Sequence, residues 1–286
     1  VSPALVIPAP AKLNLFLHVG EKRDDGYHDI QSLVAFSRFG DEISAEPDTS
    51  ISLSSTGPFG AHVPIGEENL ALKAAKLFAG TIGTRQGARI ALRKNLPVAA
   101  GLGGGSADAA AVLRGLASLW HCHVDQETLH DIGALLGADV PVCIDCVTSW
   151  IEGRGERVRP LPPLPDAGVL LVNPGVFVST AQVFEALRQA RRLNAMPPTG
   201  RFDDVYALVR CLQETANDLE NPAKRIAPQI DEVLREIMQL PDVLFARMSG
   251  SGATCFALFV DSGTARAAAS LLRARRSEWW IVDTSF

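Results

Sequence analysis

The sequence predicts an α+β protein of two domains, and three observations carry that expectation. Hydrophobic residues recur with the two-residue period of strands in some segments and with the 3.6-residue period of helices in others. A stretch dense in prolines and charges, RGERVRPLPPLPDAG at 154–168, interrupts these patterns near residue 160, as a linker or crossover does. A chain of 286 residues, 47% apolar and 21% charged, is long and apolar enough to bury two cores. The expected domains are 1–160 and 161–286.

The elements follow in order. AKLNLFLHVG (11–20) alternates, with Leu13, Leu15, Leu17 and Val19 on one face and Lys12, Asn14, Phe16 and His18 on the other, the pattern of a half-buried strand. RDDGYH then places Asp25-Gly26 in a turn and DIQSLVAF resumes an extended pattern, so a hairpin or a somewhat longer β-connection is expected. Further strand signals fall at 41–46, 50–55 and 88–94, and ENLALKAAKLFAG (68–80) has helical spacing up to Gly80. SADAAAVLRGLASLW (106–120) carries an apolar stripe, and DQETLHDIGALLG runs from an Asp125 N-cap to a stop at Gly137. VPVCIDCV (140–147) reads as a buried strand. Beyond 160 come a strand at 169–173, a helix after Ser179-Thr180, and helical stretches near 203–214 and 222–239. Strands at 244–248 and 253–260, a helix near 262–275 and a last strand at WWIVD complete a sheet backed by helices on one face.

Composition narrows the function. A formal charge of −5 argues against a broad nucleic-acid surface, which takes clustered Lys and Arg. No apolar run approaches the roughly 20 residues that cross a bilayer, and residues 1–11, with prolines and no basic start, do not read as a signal peptide. The expectation is a cytoplasmic protein with no membrane partner. Five cysteines, an odd number and scattered, suit reduced thiols, and Cys143 and Cys146 lack the second ligand pair that zinc would need.

Chemistry concentrates in PVAAGLGGGSADAA, residues 97–110. A glycine-rich segment between a strand and a helix can turn successive N–H groups inward at the positive end of the helix, which makes an anion site. Gly101, Gly103, Gly104 and Gly105 each cost about 1 kcal/mol of backbone entropy against alanine, a cost a plain turn rarely bears four times. Ser106 adds a hydroxyl that can reach a phosphate oxygen or its Mg²⁺. A Walker A loop is excluded, since no lysine lies between Lys94 and the helix. The dinucleotide fingerprint fails at Ser106 and lacks its strand-ending acid, because Asp125 starts a helix. Gly250, Ser251 and Gly252 form a shorter version of the same device, with Thr180 as a candidate neighbour. Lys12 and Asn14, two apart on one strand, project to one face, and Asp139 sits in a loop between Gly137 and Pro141.

PVAAGLGGGSADAA resembles the nucleotide loop of the GHMP kinases, small-molecule kinases named for galactokinase, homoserine kinase, mevalonate kinase and phosphomevalonate kinase. PAKLNLFL (10–17) and RMSGSGATCFALF (247–259) are similar to two further motifs of that family, and the three span nearly the whole chain. The resemblance implies a two-domain fold with its active site in the cleft between domains, ATP and Mg²⁺ as cofactors, and a small alcohol as acceptor. By resemblance Pro97, Val98, Ala99, Ala100, Gly101, Leu102, Gly103, Gly104, Gly105, Ser106 and Ala107 hold ATP, with Asn69 at the adenine and Lys94 near the loop. Ser106 is the implied Mg²⁺ contact, and no glutamate can be assigned beside it. Asp139 is the implied base for the attacking hydroxyl, and Lys12 steadies it. AKLNLFL, RDDGYH and LGADVPV narrow the resemblance to a sub-family of isoprenoid precursor synthesis whose acceptor carries a cytidine diphosphate handle. There Tyr27 and Phe184 sandwich the cytosine, with Phe177 as the competitor of Phe184, and His28 bonds the base edge. Asn14, Thr180, Gly250, Ser251 and Gly252 complete the acceptor side. A monomer or weak homodimer is expected. The alternatives are a kinase of the homoserine or mevalonate type, and a nucleotide-binding sensor that has kept the fold.

Overall fold

A computed structural model describes residues 5–64 and 66–286, so the first four residues of the 1–11 stretch lie outside the described residues. In chain order, strands β1 (Leu5–Lys22), β2 (His28–Asp48) and β3 (Ile51–Thr56) precede helix α1 (Leu70–Ile82) and strand β4 (Gly87–Arg93). Helices α2 (Gly104–Leu119), α3 (Gln126–Leu136) and α4 (Val140–Asp145) follow, then strands β5 (Ser149–Gly153), β6 (Arg157–Pro160) and β7 (Gly168–Asn173). Helices α5 (Thr180–Glu185), α6 (Val205–Gln213), α7 (Glu220–Ile226) and α8 (Gln229–Met238) lead to strands β8 (Phe245–Met248) and β9 (Cys255–Phe259), helix α9 (Ser262–Arg275) and strand β10 (Trp280–Ser285).

Two compact units emerge, and they interleave instead of parting at residue 160. One comprises the chain through Ala11, Gly40–Val98 and Gly103–Cys146; the other comprises Lys12–Phe39, Ala99–Leu102 and Val147–Phe286. The physical reason is strand length: β1 and β2 run 18 and 21 residues, and each contributes residues to both units. Part of the expected linker is itself structured, because β6 pairs antiparallel with β5 through Glu152 and Arg157.

In the first unit β3 runs parallel to β4, and β4 runs antiparallel to residues 42–48 of β2. Helices α1 to α4 pack on one another, and the small side chains of Ala107, Ala109, Ala110 and Ala111, all buried, let α2 approach its neighbours closely. Phe78 of α1 stacks on Trp120, with ring centroids 5.8 Å apart. Asp125 caps α3 as expected, accepting from Thr128 N–H at 2.8 Å. The expected strand at 140–147 is instead helix α4. A short apolar run does not distinguish strand from buried helix, and Pro141 sits in the first turn, where its missing N–H costs nothing.

In the second unit the turn at Asp25-Gly26 joins β1 to β2, with Gly26 at φ 85°. The sheet β10-β7-β9-β8 is antiparallel throughout and carries α8 and α9 against it. The helical stretch at 222–239 divides at Pro228, which separates α7 from α8. Strand β1 is not half-buried: Lys12, Asn14 and His18 are 3–5% exposed, and Phe16 packs on His18 and Trp150. Among the described residues no helix is long and apolar enough to cross a membrane.

Candidate active site

The glycine stretch spans the end of β4 and the start of α2. Its backbone is left-handed at Gly101 (φ 74°) and Gly103 (φ 61°), and also at Ala99 (φ 54°), a conformation that no glycine marks. Gly104 and Gly105 instead open α2 and matter for space. A Cβ on Gly104 would stand 3.0 Å from the Lys94 ammonium, whereas one on Gly105 would meet nothing within 4 Å. No side chain caps α2, so the N–H groups of its first turn are offered in front of that open space at the positive end of the helix. Ser106 is half-buried beside them, and Val98 is exposed. Ala107 does not join this face: it is buried, and its N–H donates to Gly103 O at 2.9 Å.

Residues 99–102 belong to the second unit and are tied there by hydrogen bonds to their backbone. Thr254 N–H donates to Ala100 O at 3.1 Å, Lys12 N–H to Leu102 O at 2.9 Å, and the Ser249 hydroxyl to Gly101 O at 2.9 Å. The second glycine loop, 249–254, joins β8 to β9 with Gly250 at φ 56° and Gly252 at φ 84°. Asn217 Nδ2 donates to both Met248 O and Gly250 O at 2.8 Å, which holds that loop open. Thr180 and Ser251 share a hydrogen bond of 2.8 Å, so the expected neighbour is in place. The two glycine loops touch backbone to backbone: a Cβ on Gly101 would fall 2.4 Å from Ser249 O. Ser249, Asn217 and Thr254 were not singled out from the sequence, because a supporting hydrogen bond leaves no composition signal.

Lys12 and Asn14 lie on β1 in the second unit, both buried. Asn14 Nδ2 donates to the Ser32 hydroxyl at 2.9 Å, and its Oδ1 faces Gly250, 3.4 Å from where a Cβ would stand. Asp139, in the first unit, occupies the N-cap position of α4 without making a capping bond, as the loop between Gly137 and Pro141 leads one to expect.

Tyr27 and His28 stand side by side in sequence at the turn after β1. Tyr27 is 57% exposed, and the Arg154 guanidinium lies over its ring at 5.3 Å from the centroid. His28 packs against Phe184 of α5 with ring centroids 5.5 Å apart, so Phe184 and not the 74% exposed Phe177 faces it. The carbonyl of Gly20 can only accept, so His28 Nδ1 donates to it, at 2.8 Å, the tautomer that leaves Nε2 as the acceptor.

Two expected nucleotide contacts have other work. Asn69 is the N-cap of α1: its Oδ1 accepts from Ala71 and Leu72 N–H at 2.8 and 3.2 Å, and Nδ2 donates to Pro64 O. Asn69→Ala is therefore expected to lower stability by about 1 kcal/mol in a thermal melt, while the KM for nucleotide stays within about twofold. A tenfold rise in that KM would restore the adenine contact. Lys94 is 3% exposed, and its ammonium is held at 2.6 Å by both Asp41 and Asp108. Burial opposes the charge on Lys94, but the two carboxylates hold it above its usual value; burial raises the Asp108 carboxyl to about 7 against the pull of Lys94. Among the described residues no group of three or more His, Cys, Asp or Glu could hold a metal ion, and Asp108 turns to Lys94 instead of standing as a second ligand beside Ser106.

Comparison with known proteins agrees with this geometry. The family models for the GHMP kinases N terminal domain and the GHMP kinases C terminal match residues 69–146 and 183–277. A 4-diphosphocytidyl-2-C-methyl-D-erythritol kinase of Paramagnetospirillum magneticum is 48% identical over 275 residues, covering 96% of each chain. A crystal structure of 4-(cytidine 5'-diphospho)-2C-methyl-D-erythritol kinase is 36% identical with a TM-score of 0.79, covering 98% of each chain. Homoserine kinase from Cytophaga hutchinsonii, 17% identical with a TM-score of 0.71 over 98% of this chain and 94% of its own, shares the fold. The chain belongs to the GHMP kinase family, and within it to the 4-diphosphocytidyl-2-C-methyl-D-erythritol kinases.

Proposed function

We propose that this protein transfers the γ-phosphoryl group of ATP to the 2-hydroxyl of 4-diphosphocytidyl-2-C-methyl-D-erythritol, a step in non-mevalonate isoprenoid precursor synthesis. The observation that carries the reading is the uncapped start of α2, with open space before Gly105. Backbone N–H groups fixed by such a scaffold bind a triphosphate without reorganising, and phosphoryl transfer depends mostly on positioning and charge stabilisation. Asp139 accepts the proton of the attacking hydroxyl late in a loose transition state, and Lys12 steadies the developing charge. The Ser106 hydroxyl is the group of this chain that would face a Mg²⁺ bound with the nucleotide, and the ion would supply charge neutralisation on the transferring group.

The acceptor side rests on Tyr27, His28 and Phe184. Tyr27 is exposed and available to stack on a base, Phe184 packs on the neighbouring His28, and His28 Nε2 accepts from an exocyclic amine. Cytosine carries such an amine where uracil carries a carbonyl, so His28 selects the cytidine handle. Asn14 Oδ1, Thr180 and the Gly250–Gly252 loop line the route from handle to hydroxyl.

The test is release of ADP with and without the cytidine substrate, repeated for Tyr27→Ala. Stacking is worth about 1–3 kcal/mol per base, so the acceptor KM should rise by about 5–150-fold while nucleotide affinity is unchanged. Turnover of homoserine or mevalonate in place of the cytidine substrate would select another GHMP kinase activity, and nucleotide binding without any ADP release would select a sensor.

A further inference from the structure

We propose that Asp108 is a positioning residue for the nucleotide phosphates, acting through Lys94 and Asp41 to fix the first turn of α2 against the end of β4. The proposal rests on the reading that this loop binds ATP. All three side chains belong to the first unit and are 1–4% exposed. Asp41, on β2, accepts the backbone N–H groups of Asn95 and Leu96 at 2.6 and 2.9 Å through Oδ1, which pins the chain where it leaves β4. Its Oδ2 takes the Lys94 ammonium at 2.6 Å, and the same ammonium reaches Asp108 Oδ2 at 2.6 Å on the other side of the loop. One continuous set of hydrogen bonds thus joins the two flanks of the glycine stretch.

Two details argue that this set is there for geometry and not for stability. A buried ion cluster is seldom more stabilising than apolar side chains of the same volume, but its hydrogen bonds have direction. Asp108 Oδ1 is also buried with no hydrogen-bond partner, a cost that plain packing would avoid. Gly104 adds to the picture: with its would-be Cβ 3.0 Å from Lys94 Nζ and 3.5 Å from Asp41 Oδ2, the first residue of α2 rests directly on the cluster. Moving the cluster moves the N–H groups that face the phosphates.

The experiment compares Asp108→Ala with Asp108→Asn in the full chain, measuring the ADP dissociation constant by calorimetry and the KM of each substrate. Asp108→Ala is expected to weaken ADP at least tenfold and to raise the KM for ATP in proportion, with the acceptor KM within twofold. Asp108→Asn, whose amide oxygen still accepts from Lys94, should recover ADP binding to within threefold. ADP binding by Asp108→Ala within twofold of the parent, or an Asp108→Asn as weak as Asp108→Ala, overturns the proposal. Should Asp108→Ala not fold, Asp108→Ser carries the same comparison. A parent enzyme that binds ADP but phosphorylates nothing overturns the functional reading alone, since the ADP constants decide this proposal without turnover.

Discussion

Asp139→Asn is expected to lower kcat by about 10²–10⁴-fold, the range that a positioned general base contributes, while both KM values stay within a few-fold. The substitution preserves shape and removes only the capacity to take a proton. Steady-state kinetics with the cytidine substrate, alongside a thermal melt, separate the outcomes. Full activity would show that the hydroxyl loses its proton elsewhere; a lost fold would show that Asp139 serves α4 and not the reaction.

Gly101→Ala should be the most damaging single methyl in the loop. Gly101 holds φ 74°, where a side chain costs about 1–2 kcal/mol, and its Cβ would fall 2.4 Å from Ser249 O and 2.8 Å from Gly252 N. Relieving that overlap costs about 1–3 kcal/mol more, and it must separate the two glycine loops. Thermal melts should therefore show a loss of about 2–5 kcal/mol, and calorimetry a parallel loss of ADP affinity. Gly105→Ala supplies the contrast: it lies in α2 with open space before it, so alanine should leave stability equal or higher and still weaken ADP. Equal behaviour of the two variants would refute the separate roles assigned to them.

The glycine stretch was legible in the sequence because its signal is local: four glycines, a serine and a helix start within ten residues. The turns that carry Asp139 and Tyr27-His28 were legible for the same reason, each beside a glycine, while the roles of those side chains needed the family resemblance. Phe184 needed the family resemblance, and the structure sets it on His28. Asp41 was not legible, because nothing near it shows that its carboxylate receives the chain 54 and 55 residues further on. The capping role of Asn69 was not legible for a related reason: a capping asparagine and a ligand-binding one look alike until the bonds to Ala71 and Leu72 are seen. Strand β6 hid among prolines, and α4 hid in an apolar run too short to show a period. Local patterns thus announce the glycine loops, while the partners that hold those loops are distant in sequence and leave no local mark.

The interleaving of the two units also constrains how the chain folds as it is synthesised. Residues 12–39 emerge early, yet the unit they belong to is complete only after β7 to β10 have been made. An apolar β1 must therefore wait, with Leu13, Leu15 and Val19 lacking their final burial, through much of translation at about 5–20 residues per second. The first unit needs nothing beyond Cys146, so nascent chains stalled near residue 180 should protect α1 to α4 from protease while residues 12–39 remain open to chaperone capture.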